Sequence, residues 1–139
     1  MKKLFLLLIL SVISCSKDKV INDNPYIQNY SFSTIVNTSL PSYSQLEFAG
    51  NPVLIDGAGI GLKGIIVMKV GNNDYRAFEA SCPNQYPSDC TKLTINGINA
   101  KCTCDDKEYS LYTGLGVGVQ YPLKQYRVEV LGASLRVYN

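Results

Sequence analysis

Four cysteines in the second half of the chain, Cys82, Cys90, Cys102 and Cys104, are the residues best equipped for chemistry, and they stand in a sequence that contains no histidine. Thiolates bind soft metals, attack electrophiles and pair as disulfides. Lack of histidine removes Ser-His-acid and Cys-His catalysis from consideration. The spacing Cys82-x7-Cys90-x11-Cys102-x-Cys104 lacks the C-x-x-C knuckles of a structural zinc site, and one residue between Cys102 and Cys104 makes joint ligation of an ion awkward. The same interval lacks the two-residue spacing and helix-start setting that activate a redox thiol. Asp105, Asp106 and Glu108 read as a solvated loop face, and no catalytic residue is assigned. The glycine runs 57–61 and 114–118 lack the strand-turn-helix context of a phosphate-binding loop, and read as turns.

The elements that must position these cysteines are strands. Gly64 to Val70 is rich in β-branched residues and ends at Gly71-Asn72-Asn73-Asp74, a hairpin signal leading into Tyr75 to Glu79 and on to Cys82. Lys92 to Ile95, a turn at Asn96-Gly97 and Ile98 to Lys101 form a second hairpin that leads into Cys102. Phe32 to Val36, Gln45 to Ala49, Pro52 to Ile55, Glu108 to Tyr112, Gly114 to Gly118, Tyr126 to Val130 and Leu135 to Tyr138 continue as short pieces between turns. Beyond the first residues no twelve-residue stretch has a helical period, and short helices are considered only around 59–64 and 39–42. The expected fold is all-β, a small antiparallel barrel or sandwich. Of the 10 tyrosines, Tyr75, Tyr109 and Tyr126 fall inside strands and are expected in the core, with Tyr86, Tyr112 and Tyr121 the candidates for exposure.

Residues 75 to 138 resemble a Rieske [2Fe-2S] domain of the dioxygenase-ferredoxin and cytochrome-complex type. The matching residues run in order: Tyr75-Arg76-Ala77-Phe78, Cys82-Pro83-Asn84, Cys102-Thr103-Cys104-Asp105-Asp106, the pair Thr113-Gly114, and Tyr121 to Val130. The resemblance implies a Rieske-like barrel with a two-loop cluster-binding subdomain. By position Cys82 and Cys102 match the cysteine ligands of the family, whereas Asn84 and Asp105 occupy the histidine positions. An asparagine amide is a poor iron donor, so the expectation is that no cofactor is held, the alternative being a [2Fe-2S] cluster with altered ligands. The resemblance also implies a bracing disulfide between Cys90 and Cys104. Without iron, Cys82 and Cys102 are left facing each other as a second pair, although four cysteines formally allow three pairings.

The start of the chain carries a different signal. Met1-Lys2-Lys3, an apolar run from Leu4 to Leu10, and Val12-Ile13-Ser14-Cys15 read as a secretory signal. The ending resembles the lipobox of bacterial lipoproteins, which implies cleavage after residue 14 and acylation of Cys15. Several acyl chains hold a protein stably to lipid. Residues 15–29 are polar and read as the lipidated cysteine and a linker, with a single domain over 30–139. The expected location is the cell envelope, lipid-anchored in an outer membrane and facing the periplasm or the surface. An oxidising compartment of that kind favours disulfides.

The full chain has 13 basic and 11 acidic residues, and loss of Lys2 and Lys3 leaves 11 of each. No basic stripe remains for nucleic acid. The expected partners are membrane lipid, through Cys15, and an unidentified envelope protein.

Overall fold

A computed structural model describes residues 23–139, so that the signal segment 1–14, Cys15 and the first part of the linker lie outside the described residues. Nine strands follow: β1 (Ser33–Asn37), β2 (Val53–Ile55), β3 (Ile65–Gly71), β4 (Asp74–Glu79), β5 (Thr94–Asn96), β6 (Asn99–Lys101), β7 (Glu108–Ser110), β8 (Gln125–Leu131) and β9 (Ser134–Tyr138). They form a six-stranded sheet in the order β1-β9-β8-β4-β3-β2 and a three-stranded sheet in the order β5-β6-β7. Every strand pairing is antiparallel. The all-β expectation is met, and among the described residues no helix is long and apolar enough to cross a membrane.

Turn chemistry explains the two hairpins that deliver the cysteine loops. Between β3 and β4 the loop is Asn72-Asn73, with Asn73 at φ 51°, a conformation asparagine tolerates better than most residues. The second hairpin differs in detail from the sequence reading. Asn96 pairs with Asn99 as the last residue of β5, so the turn is Gly97-Ile98, and only its first position, Gly97, has a positive φ. Glycine first is the type II′ arrangement.

The first four residues of β3, Ile65 to Met68, are buried on both faces, which is why they form a continuous apolar run. Ile66 and Met68 join Phe78, Leu93, Ala100, Tyr109 and Leu111 in one core. Ile65 and Val67 face a second, with Val36, Leu46, Ala77, Tyr126 and Leu135. The piece from Gln45 to Ala49 is not a strand: Ser44–Glu47 is a 3-10 turn that presses Leu46 into the second core. The stretches 39–42 and 59–64 contain turns and no helix, and Gly114 to Gly118 is a loop touching Tyr109 by a single bridge at Gly116.

The last residues of the polar N-terminal segment are packed. Asn24 accepts from the backbone N–H groups of Tyr26 and Ile27 and donates to the carbonyl of Pro83 at 2.7 Å. Ile27 is fully buried. A lone isoleucine in a polar stretch gives no periodic signal, so its burial could not be read from pattern.

Candidate functional site: the disulfide-joined loops

The hairpin β3-β4 ends at Cys82 and the hairpin β5-β6 ends at Cys102, and both cysteines arrive in the first core. Backbone bonds fix the approach. Cys82 N–H donates to Thr91 O at 2.8 Å, Leu93 N–H to Ala80 O at 2.8 Å, and Cys102 N–H to Lys107 O at 2.8 Å. Cys82 and Cys102 are joined by a disulfide with a Cα separation of 5.5 Å, and Cys90 and Cys104 by another at 5.1 Å. Both separations lie in the ordinary range.

Cys90 sits in a short 3-10 turn, Asp89–Thr91, which periodicity does not reveal. The turn is held by Ser88 and Thr91, where Ser88 N–H donates to Thr91 Oγ1 at 3.0 Å and that hydroxyl donates to Ser88 O at 2.9 Å. Thr103 Oγ1 donates to Cys90 O at 2.7 Å and ties the two loops beside the outer disulfide.

Asn84 is a structural pin. Its amide nitrogen donates to Tyr109 Oη at 3.0 Å and to Tyr121 O at 2.8 Å, while its oxygen accepts from Tyr121 N–H at 2.8 Å. Burial is the larger influence on Tyr109 and pushes its hydroxyl above the ordinary value, with the Asn84 bond acting in the opposite sense and Asp105 adding to the rise. Asp105 is exposed and accepts from Lys107 N–H at 3.1 Å, closing its own turn. Asp106 pairs with Lys101 at 3.0 Å.

The residues at the four positions that the resemblance matches to cluster ligands do not fit an iron-sulfur group. Cys82 and Cys102 share their sulfurs with each other and offer no thiolate. The amide oxygen of Asn84 is aimed at a backbone N–H, and Asp105 alone cannot complete a ligand set. The sulfurs of Cys82, Cys102 and Cys104 do lie within 4.8 Å of one another, but all three are in disulfides.

Replacing Asn84 by alanine is expected to cost about 2–3 kcal/mol, because the Tyr109 hydroxyl and the Tyr121 N–H and carbonyl lose their partner together. Urea titration of Asn84→Ala should show a lower midpoint with an unchanged slope. A loss below about 0.5 kcal/mol would mean that water replaces the amide at no cost.

A ring cluster borders the loops. Tyr26 meets Tyr86 edge-on at a centroid distance of 4.9 Å and Tyr121 at 5.9 Å. Tyr86 is 73% exposed, Tyr112 is exposed and Tyr121 is half-buried, whereas Tyr109 and Tyr126 are buried and Tyr75 is partly so.

Sequence reasoning missed Glu79. It ends β4 with no exposed surface, and accepts from Leu62 N–H at 2.8 Å, Lys63 N–H at 2.8 Å and Tyr126 Oη at 2.6 Å. The glycine-rich run 57–61 leads into the loop this carboxylate holds. Gly61, at φ 61°, leaves room for it, since a Cβ there would lie 2.6 Å from Glu79 Oε2. Lys124 is also buried, with its ammonium donating to Gln28 O at 3.4 Å and to Asn29 Oδ1. No local sequence signal marks this cluster, because a carboxylate in a strand ordinarily reads as an outward-facing charge.

No family model and no curated protein matches the chain. Solved structures similar to it include the complex of reduced oxygenase and oxidized ferredoxin in carbazole 1,9a-dioxygenase, with 22% identity over 65% of this chain and 82% of that one and a TM-score of 0.46. The ferredoxin of carbazole 1,9a-dioxygenase from Nocardioides aromaticivorans IC177 has 19% identity over 75% of this chain and 96% of its own, with a TM-score of 0.47. A putative NADH-dependent nitrite reductase small subunit from Mycobacterium tuberculosis has 12% identity over 80% and 97%, with a TM-score of 0.46.

Proposed function

We propose that the chain is a Rieske-like lipoprotein that has lost its iron-sulfur cluster and works as a disulfide-stapled binding module, anchored to the cell envelope through acylated Cys15. The observation that carries this reading is the state of the ligand positions. Cys82 and Cys102 are bonded to each other, and Asn84 spends its amide on Tyr109 and Tyr121. A scaffold with those positions closed keeps the two loops and their rigidity, which suits recognition of a partner more than storage of an electron. The exposed Tyr86, backed by Tyr26, is the anchor such a surface offers to an envelope protein.

The test is chemical analysis of the full-length protein expressed with iron supplied. Expected are no bound iron or acid-labile sulfide, and Cys82, Cys90, Cys102 and Cys104 unreactive toward alkylating reagents until a reductant is added. About two irons and two sulfides per chain, with charge-transfer bands in the visible, would replace this reading by electron transfer through unusual ligands. Anchoring is tested by labelling with a tritiated fatty acid, which is expected to depend on Cys15 and to be lost in Cys15→Ala.

A further inference from the structure

The two disulfides are graded by access and close enough to communicate. Cys90 is exposed and Cys104 half-buried, while Cys82 and Cys102 are 1% and 0% exposed. Cys104 Sγ lies within 4.8 Å of both inner sulfurs. A reagent in solution therefore meets the outer bond first, and the sulfur it frees on the inner side stands next to the buried bond. Exchange proceeds by attack of a thiolate on a disulfide sulfur, so access and proximity decide which bond is opened and by what.

We infer that the loop pair is a two-step thiol-disulfide exchange site, in which an external dithiol opens Cys90–Cys104 and Cys104 then exchanges with the buried Cys82–Cys102 bond. In the first step a thiolate of the dithiol bonds to Cys90 Sγ, the Cys90–Cys104 bond breaks, and its electron pair leaves on Cys104. The second thiol of the dithiol, deprotonated, attacks the dithiol sulfur now bonded to Cys90. It closes the oxidised dithiol and releases Cys90 as a thiolate. Ser88 Oγ is 3.5 Å from Cys90 Sγ and places a hydroxyl where it can donate to that thiolate. In the second step Cys104 Sγ bonds to Cys82 or Cys102 while the Cys82–Cys102 bond breaks, with the electron pair leaving on the displaced sulfur. That step is redox-neutral. Over both steps two electrons and two protons pass from the dithiol to the chain, which ends with thiols on Cys90 and on one inner cysteine and a new disulfide to Cys104. The Thr103 bond to Cys90 O keeps the loops together while the outer bond is open.

The site needs the cluster-free, paired cysteines proposed above, and one experiment separates the two ideas. The full chain is treated with one equivalent of dithiothreitol, quenched with acid and alkylated. Its pairs are then mapped by mass spectrometry with fragmentation that resolves Cys102 from Cys104, and iron and sulfide are assayed on the untreated sample. Expected are alkylated Cys90 and a disulfide joining Cys104 to Cys82 or Cys102. A second sample, Cys90→Ser with Cys104→Ser, should lose its inner disulfide to the same reagent at least about tenfold more slowly, because the relay sulfur is gone. Alkylated Cys90 and Cys104 beside an untouched Cys82–Cys102 bond in metal-free protein would overturn the exchange alone. Bound iron would overturn the paired-cysteine reading beneath it. If the double variant fails to fold, the mapping of the unmodified chain decides.

Discussion

Glu79→Ala is expected to destabilise the domain by about 3–5 kcal/mol, the cost typical of removing one partner from a buried charged network. Three donors lose their acceptor at once: the N–H groups of Leu62 and Lys63 and the hydroxyl of Tyr126. Tyr126 lies in the second core and cannot turn to water, and the loop carrying Leu62 and Lys63 loses its tie to the end of β4. Lys124, buried nearby, also loses a negative charge that favours its ammonium form. An ordinary domain has about 5–15 kcal/mol in all, so the variant should lose a substantial share of its stability. Urea titration measures the loss, and hydrogen exchange at the amides of Leu62 and Lys63 should accelerate more than the global loss accounts for. A loss under about 1 kcal/mol would show that the carboxylate does not organise this region.

Stability should fall steeply above about pH 10.5, and the reason lies in the same cluster. Burial is the largest cause raising Tyr126 above its ordinary value of 10.0, with the charge of Glu79 and the hydrogen bond to it acting in the same direction. Tyr109 is raised chiefly by burial. Above pH 10 the unfolded chain releases these protons while the folded one retains them, so the unfolded state binds fewer protons and stability drops as pH rises. Each tyrosine fully in that window contributes a slope of about 1.4 kcal/mol per pH unit.

Lys124 acts with the opposite sign. Burial lowers it from 10.5, against the pull of Glu79, so the unfolded chain holds the extra proton and stability rises until pH passes 10.5. The two effects partly cancel between pH 10.0 and 10.5, and beyond that only the loss remains. Denaturant titrations from neutral to strongly alkaline pH should show this shape, and Tyr126→Phe should flatten the descending limb. An unchanged limb in that variant would assign the alkaline loss to other groups.

What was legible in the sequence follows from how local each cause is. The hairpins around Asn73 and Gly97 were readable because turn residues announce themselves over four positions, and β3 because Ile65, Ile66, Val67 and Val70 share a β-branched preference within seven residues. Cys82, Asn84, Cys102 and Asp105 were readable as residue types, but their use was not. That Asn84 serves Tyr109 and Tyr121 depends on residues 25 and 37 positions away, and no window on the sequence contains them. Glu79 reaches Leu62 from 17 positions on and Tyr126 from 47 away, and a carboxylate in a strand otherwise reads as an outward-facing charge. The stretch from Gln45 to Ala49 is a short apolar piece in sequence, whereas Ser44–Glu47 folds as a 3-10 turn that buries Leu46 and leaves Phe48 exposed.

The clasp formed by Asn24, Tyr26 and Ile27 governs where a mechanical load would enter the molecule. A pull on the chain ahead of residue 24 would load first the bond to Pro83 O and the ring contacts with Tyr86 and Tyr121, directly beside Cys82. Tension from that side reaches the crosslinked loops before it reaches the sheet. Covalent bonds between the loops, Cys82 to Cys102 and Cys90 to Cys104, keep the surface that this clasp grips in shape. Strand β1 follows only afterwards, and it is secured along its length by five pairings with β9.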